Sequence, residues 1–487
     1  MIQSESRQPR EQLAILYMDI TEMLKELSEG NLTSVELTKT YIEHLKYVNP
    51  TVNCLVEDRF HEALKEAEEA DRLIQNGETR GKLTGIPISM KESFHVKGMK
   101  TTGGLGHRVN MKENQDAQVV ERLRREGAVI LGKTNTPTLC FCQETDNKLY
   151  GRTNNPWDLN RTAGGSSGGE GALIALGGAA AGIGSDIGGS IRFPSHFNGV
   201  IGFKSGNGRV SDVGSFPEVI HPLQKRMLGI GPIAKSVKDA RLIYQVIANH
   251  KYDSKLKIND FVIQKLPKDS YLLSESMEQK LQEVIDHLNK RFQVGSEIPP
   301  LFDESALLWQ EIMSIDGGKS TADAAGFSGP GAVVGSYLKE KLTGGSDYHS
   351  FLTWALIGAL LFQPRSSRVK EIHRLIEEGD RKVTDYFEGR ILILPVYHRT
   401  APLHGELYSE IFSIKKTFIK YMPFVAYANV WGLPALTVPV GKDNEGLPMG
   451  LQLISNSGNE EALFQLGEIV EREFSGFERC TIHDKEL

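Results

Sequence analysis

Helix-like and strand-like segments alternate along this chain of 487 residues, and that alternation predicts an α/β core. Two observations carry the prediction. Apolar residues recur at helical spacing through the first eighty residues. Short aliphatic runs with strand character then follow, separated by helical stretches.

Taken in order, Thr33-Ser34-Val35-Glu36 reads as a capping box, after which Leu37, Tyr41, Ile42 and Leu45 fall on one helical face. Ala63, Leu64, Ala67, Ala70, Leu73 and Ile74 make a second stripe, with Gly77 where a C-cap belongs. Ile86 to Met90 reads as a strand, Gln118 to Glu126 as a helix and Ala128 to Leu131 as a strand. A helix of small residues is expected over EGALIALGGAAA. From 254 to 387 charge and helical pattern increase, which suggests a helical insertion or flank. Strand character returns at Ile391 to Tyr397 and Ala435 to Gly441. No internal repeat or low-complexity linker interrupts the chain, so one domain over 1–487 is expected. Its parts are N-terminal helices (1–80), a glycine-rich core (81–253), the helical insertion (254–387) and a return to the core (388–487).

Composition excludes several classes. Hydrophobic residues make up 40% and charged residues 24%, a globular balance. The net charge of −6 is spread along the chain, and a polyanion-binding surface would need a basic patch, so no nucleic acid partner is expected. Cys54, Cys140, Cys142 and Cys480 form neither a disulfide framework nor a C-x-x-C zinc pattern, which fits a reducing, cytoplasmic setting. The polar first thirty residues do not read as a secretory signal. The apolar run Phe351 to Phe362 is shorter than the ~20 residues of a membrane span, so no transmembrane anchor is expected. It reads first as a buried helix, and in a sharper reading as the lining of an apolar substrate channel.

Two motifs match by letter and fail on context. Gly127 to Thr134 fits G-x-x-x-x-G-K-[ST], but its four variable residues are strand formers and no strand precedes them, so it reads as a strand and a polar turn. Gly164 to Gly168 fits the G-x-S-x-G nucleophile elbow, yet the preceding NNPWDLNRTA is no buried strand. The thirteen histidines are scattered, no metal site is expected, and His196 and His404 read as structural.

Between Ala163 and Ser211, Ser166 and Ser190 are framed by paired glycines. Glycine permits backbone turns and close approaches that a Cβ forbids, so a hydroxyl can sit beside several free N–H groups. In DIGGSIR the amides of Ile187, Gly188 and Gly189 are expected to converge as an oxyanion hole beside Ser190, where one donor is typically worth ~3 kcal/mol. A serine nucleophile needs a base. In ISMKESF, strand alternation puts Ser89, Lys91 and Ser93 on one face and Ile88 and Met90 on the other. Burial lowers a lysine from its usual pKa of ~10.4, which makes Lys91 the candidate base.

GIPISMKESF, GGSSGGEGALIALGG and SDIGGSIRFPSHFNGVIGFK together resemble the amidase signature family, and YGRTNNPWDLNRTAGGSSGGEGALI is most similar to its fatty-acid amide hydrolase branch. The resemblance reaches NVWGLPALTVPVGKDNEGLPMGLQLI near the end of the chain. It implies a mixed twisted β-sheet sandwiched between α-helices, and a Ser–cis-Ser–Lys mechanism without a cofactor. Ser190 would attack the carbonyl, and Ser166, after a cis Gly165–Ser166 peptide, would relay the proton to Lys91. The amides of Ile187, Gly188, Gly189 and Ser190 would form the oxyanion hole, and Cys140, Cys142 and Ser185 would border the acyl pocket. Ser205 departs from the proline usual in the family.

The expected activity is hydrolysis of carboxylic amides of a fairly apolar small molecule, with esters or carbamates also open. The expected partners are that substrate and a second copy of the chain in a homodimer. The alternative is the glutaminase component of a tRNA-dependent amidotransferase, which would carry an acidic residue shortly before N-x-x-G-L-P to grip an α-amino group. Here Tyr421 to Ala428 has no carboxylate, and an apolar substrate suits such a wall better. A catalytically silent scaffold would lack Lys91, Ser166 or Ser190, and all three are present.

Overall fold

The computed structural model describes residues 9–250, 255–268, 270–411 and 420–485. Thirteen strands occur in it: β1 (Leu55–Asp58), β2 (Pro87–Lys91), β3 (Val129–Thr134), β4 (Asn154–Asn155), β5 (Asp158–Thr162), β6 (Ala181–Asp186), β7 (Ile201–Lys204), β8 (Gly229–Ala234), β9 (Val262–Lys265), β10 (Val294–Ser296), β11 (Arg390–Pro395), β12 (Ala435–Lys442) and β13 (Pro448–Ile454). Eleven join one sheet in the order β1-β3-β2-β6-β8-β7-β12-β13-β11-β9-β10, while β4 and β5 pair separately. The sheet is mixed, since β2 runs parallel to β3 and β6 whereas β6, β8, β7, β12 and β13 are successively antiparallel.

Helices cover both faces, and β11 shows why. Its side chains alternate, so Ile391 and Ile393 join the core that includes Ile243, Leu463 and Phe464, while Leu392 and Leu394 join the one that includes Trp309, Ile376 and Phe424. Strands apolar on both sides need helices on both sides.

The N-terminal helices are as expected. Ser34–Val52 starts at a capping box between Thr33 and Glu36, and Phe60–Gln75 is followed by Gly77 at φ +72°. Three expectations are corrected. The small-residue helix stops at Ala175, and Ala181 already belongs to β6, because Gly177 turns the chain at φ +77° and the alternating AGIG lies in the sheet interior. Lys133 and Thr134 are the end of β3 rather than a turn, buried with Lys133 bonded to Thr101 at 2.7 Å. Region 254–387 is not purely helical, for it supplies β9 and β10 at one sheet edge. Both are short and lack alternation, which hid them in the sequence.

Candidate active site

β2 lies in the sheet interior, and its last residue points Lys91 toward the start of the helix Gly168–Ala175. Ser89, on the same face, donates to Glu170 Oε2. Lys91 is fully buried; its Nζ donates to Ser166 Oγ at 2.7 Å and to Ser185 Oγ at 3.0 Å. Burial pulls the Lys91 pKa below its ordinary value, with the neighbouring Cys140, Asp186 and Glu170 opposing. Burial likewise pushes the Glu170 carboxyl up to about 7, against the bonds from Ser89 and Thr134 and the charge of Lys91.

Ser166 sits on a tight turn. The Gly165–Ser166 peptide is cis. A Cβ on Gly165 would come within 2.8 Å of the backbone at Gln143 and Glu144, so only glycine lets the two loops touch.

Ser190 follows β6 and precedes the helix Arg192–Asn198. The four amides expected to converge here are not equivalent. Gly189, at φ +94°, donates its N–H to Asp186 Oδ1 at 2.8 Å. The amides of Ile187, Gly188 and Ser190 meet no acceptor among the described residues. Of the four, the Gly189 amide is thus already engaged, because the Asp186 side chain folds onto its own loop.

Asp186 is the organiser that sequence reasoning missed. It is buried and accepts from Arg192 Nε and Nη2 at 3.0 Å each, Asn429 Nδ2 at 2.9 Å and the Ile191 amide at 3.1 Å. Burial alone would raise its carboxyl, but the Arg192 guanidinium, with Lys204 and Asn429, holds it well below the usual carboxylate range. Arg192 continues to Gln452 Oε1 at 3.0 Å and Asn429 Oδ1 at 2.6 Å. A signal was present: two opposite charges flank a stretch of otherwise small and apolar residues.

Ser166, Ser185, Ser190, Cys140 and Cys142 line one cavity of about 330 Å³, within the range of small-molecule sites. Its wall is largely aromatic and apolar, from Phe141, Phe216, Trp309 and Met313, with Glu218 and Asp316 as the charged side chains on the lining. Phe351 to Phe362 does not line it. That segment is the helix Ser350–Leu361, which packs Leu352 and Leu356 against Leu105, Leu139, Phe327 and Val333, so the channel reading is corrected, and the buried-helix reading holds for one face only, with Leu361 and Phe362 exposed. Tyr421 to Ala428 does not line this cavity either, since helix Pro423–Val430 is buried behind the loop, with Val425 next to Gly189.

His196 and His404 are held by backbone. His196 faces the carbonyls of Arg399 and Gly450, and burial pushes it down to about 4; His404 Nε2 lies 3.1 Å from the Leu159 carbonyl. Ser205 Oγ accepts from the Ile230 amide at 3.1 Å. Among the described residues, no three His, Cys, Asp or Glu are grouped to hold a metal, and no helix is long and apolar enough to cross a membrane.

A serine in a loop with unpaired amides, on a cavity shared with a second serine that a buried amine bonds, suits chemistry of the acyl-transfer class. Comparison with known proteins narrows the class. The Amidase family model matches residues 36–464. Fatty-acid amide hydrolase 2-B of Danio rerio is 32% identical over 95% of this chain and 90% of its own. Fatty-acid amide hydrolase 2 of Homo sapiens is 30% identical over 95% of this chain and 90% of its own. Native peptide amidase from Stenotrophomonas maltophilia shares the fold with a TM-score of 0.78 at 24% identity, covering 96% of this chain and 99% of that one. The chain belongs to the amidase family, and it is an amide hydrolase acting on carbon–nitrogen bonds.

Proposed function

We propose that this hydrolase cleaves the amide bond of a fairly apolar small molecule through Ser190, Ser166 and Lys91. Ser190 Oγ forms a bond to the carbonyl carbon, its proton passes to Ser166 Oγ, and the Ser166 proton passes to the neutral Lys91 amine. The amides of Ile187, Gly188 and Ser190 hold the oxyanion. The relay then runs backward, the carbon–nitrogen bond breaks, and the leaving amine takes the proton. Water attacks the acyl-enzyme with the same relay as base, releasing the acid and restoring Ser190. Esters and carbamates suit the same steps. The observation that carries the reading is the 2.7 Å contact between Lys91 and Ser166 on the cavity that Ser190 also lines.

The test is labelling with a fluorophosphonate probe, alongside turnover of a panel of aryl and acyl amides. Ser190→Ala is expected to lose both labelling and turnover. Retained labelling in that variant overturns the nucleophile, and no turnover of any amide by the purified protein overturns the activity.

The glutaminase of a tRNA-dependent amidotransferase is the second reading, favoured by the carboxylates of Glu218 and Asp316 on the cavity, which could pair with an α-ammonium group. Ammonia release from glutamine by the isolated protein separates the two. A cytoplasmic setting goes with the main reading, supported by four unpaired thiols. So does a homodimer, which light scattering would report as twice the 54.0 kDa chain.

A further inference from the structure

Trp309 lies on helix Glu304–Met313, more than a hundred residues from the glycine-framed serines in sequence. Its indole Nε1 nevertheless donates to the carbonyl of Ile187 at 2.7 Å. Its ring also covers Gly188, where a Cβ would stand 2.7 Å from Cζ2. We propose that Trp309 is a positioning residue that fixes the direction of the Gly188 amide in the oxyanion-binding loop. The inference rests on reading that loop as the oxyanion hole.

The argument follows the peptide planes. In a trans peptide the C=O and the next N–H point opposite ways, so anchoring the oxygen on one side aims the hydrogen to the other. The Asp186 carbonyl accepts from Asn429 Nδ2 at 3.3 Å, which leaves the Ile187 amide unpaired. The Gly189 carbonyl accepts from the Phe193 amide at 2.7 Å, which leaves the Ser190 amide unpaired. The 188–189 plane is tied at both ends: Gln143 Nε2 donates to the Gly188 carbonyl at 3.3 Å, and the Gly189 amide goes to Asp186. That leaves the 187–188 plane, which carries the Gly188 amide, and its carbonyl is held by Trp309.

Glycine on the far side of that plane gives it little resistance of its own to rotation. Were it to flip, a carbonyl oxygen would replace an N–H donor beside the oxyanion and turn attraction into repulsion. Trp309 prevents this from outside the glycine-rich segment. Because Trp309 also lines the cavity, a substrate pressing on the indole bears on the residue that aims the amide.

The test is Trp309→Phe, which keeps an aromatic ring and removes the donor. kcat should fall about tenfold with KM changed by no more than about twofold, since a misaimed donor weakens the transition state rather than ground-state binding. A trifluoromethyl ketone inhibitor, whose adduct with Ser190 carries an oxyanion, should lose affinity by the same factor as kcat. The matching alcohol, which forms no adduct, should bind as before. The pH profile should keep its shape, because Lys91 is untouched. Gln143→Met frees the neighbouring 188–189 plane, whose amide goes to Asp186, and should change the ketone and kcat less than Trp309→Phe does. Trp309→Met, which also lacks the donor, carries the test if Trp309→Phe does not fold. Unchanged kcat with a raised KM, or equal weakening of ketone and alcohol, would falsify the proposal and make Trp309 a wall residue only. Turnover surviving in Ser190→Ala would instead remove the reading beneath it.

Discussion

Two regions of the fold are built to different tolerances. Around the serines, Lys91, Asp186, Arg192, Asn429 and Gln452 are all buried, and each is bonded to at least one other polar group. In the helical region, helices Pro330–Thr343 and Ser350–Leu361 leave Leu342 at 81% and Leu361 at 69% exposure. In the first region a misplaced side chain strands a charge or an amide away from water, whereas in the second it strands little. The site is therefore held by side chains that tolerate little displacement, and the outer faces of these helices are not.

The largest expected effect is at Lys91. Lys91→Met keeps the length and removes the amine, and kcat should fall by roughly 10²–10⁴, the usual contribution of a positioned base. The pH dependence sharpens this. Burial has lowered the Lys91 pKa, and the proposed relay needs the amine neutral, so wild-type kcat should rise with pH through that lowered value. In Lys91→Met this acid limb should vanish from the residual rate. A limb that survives unchanged in the variant would assign the base elsewhere.

Next comes the Asp186 hub, where the contrast between regions concerns stability. Asp186→Asn leaves the buried Arg192 guanidinium without its counter-charge, which should cost about 3–5 kcal/mol in urea unfolding. The sign with pH follows from the depressed carboxyl. Its contribution is complete above the unfolded carboxylate range near ~4 and is lost as pH falls through the lower folded value, so the gap to wild type should be full at neutral pH and close in acid. A gap that does not narrow in acid would mean that packing, not charge, is what the variant removes.

The same contrast explains what the sequence could reveal. Lys91, Ser166 and Ser190 were legible because their setting is local: strand alternation aims the lysine, and paired glycines mark the turns. The fold class was legible from alternating patterns, down to the Thr33 capping box. The distant partners of the loop and of its Asp186–Arg192 pair were not. Trp309, Gln143, Asn429 and Gln452 reach them only through the tertiary fold, and no spacing in the chain announces them. The amide of Gly189 looked like its neighbours because its fate depends on the Asp186 side chain turning back three residues. The end of the small-residue helix was misplaced from Ala175 to Ala181 because the run LGGAAA carries no apolar period. The apolar run from Phe351 suggested a channel, yet hydrophobicity alone does not say which face of a helix meets a cavity.

A smaller effect is expected at Ser205, at the edge of the core region. Ser205→Ala removes the acceptor for the Ile230 amide, and an unpaired buried N–H costs about 1–3 kcal/mol. Chemical denaturation should show that loss with kcat nearly intact, because the bond braces β7 against β8 and touches no reacting atom. A drop in kcat with stability unchanged would move Ser205 into the site and blur the boundary between the two regions.

The smallest effect belongs to the exposed helices. Leu361→Ser should change unfolding free energy by no more than about 0.5 kcal/mol, as for surface positions generally, and should leave kcat and KM with a short aryl amide unchanged. Leu356→Ala, on the same helix but buried against the cluster that contains Leu139, should cost about 2–5 kcal/mol. Leu139 immediately precedes Cys140 on the cavity, so the inner face of this helix supports the site while the outer face does not. If Leu361→Ser raises KM and Leu356→Ala does not, the face that matters for substrate is the exposed one, and the division of labour drawn between core and helices is wrong.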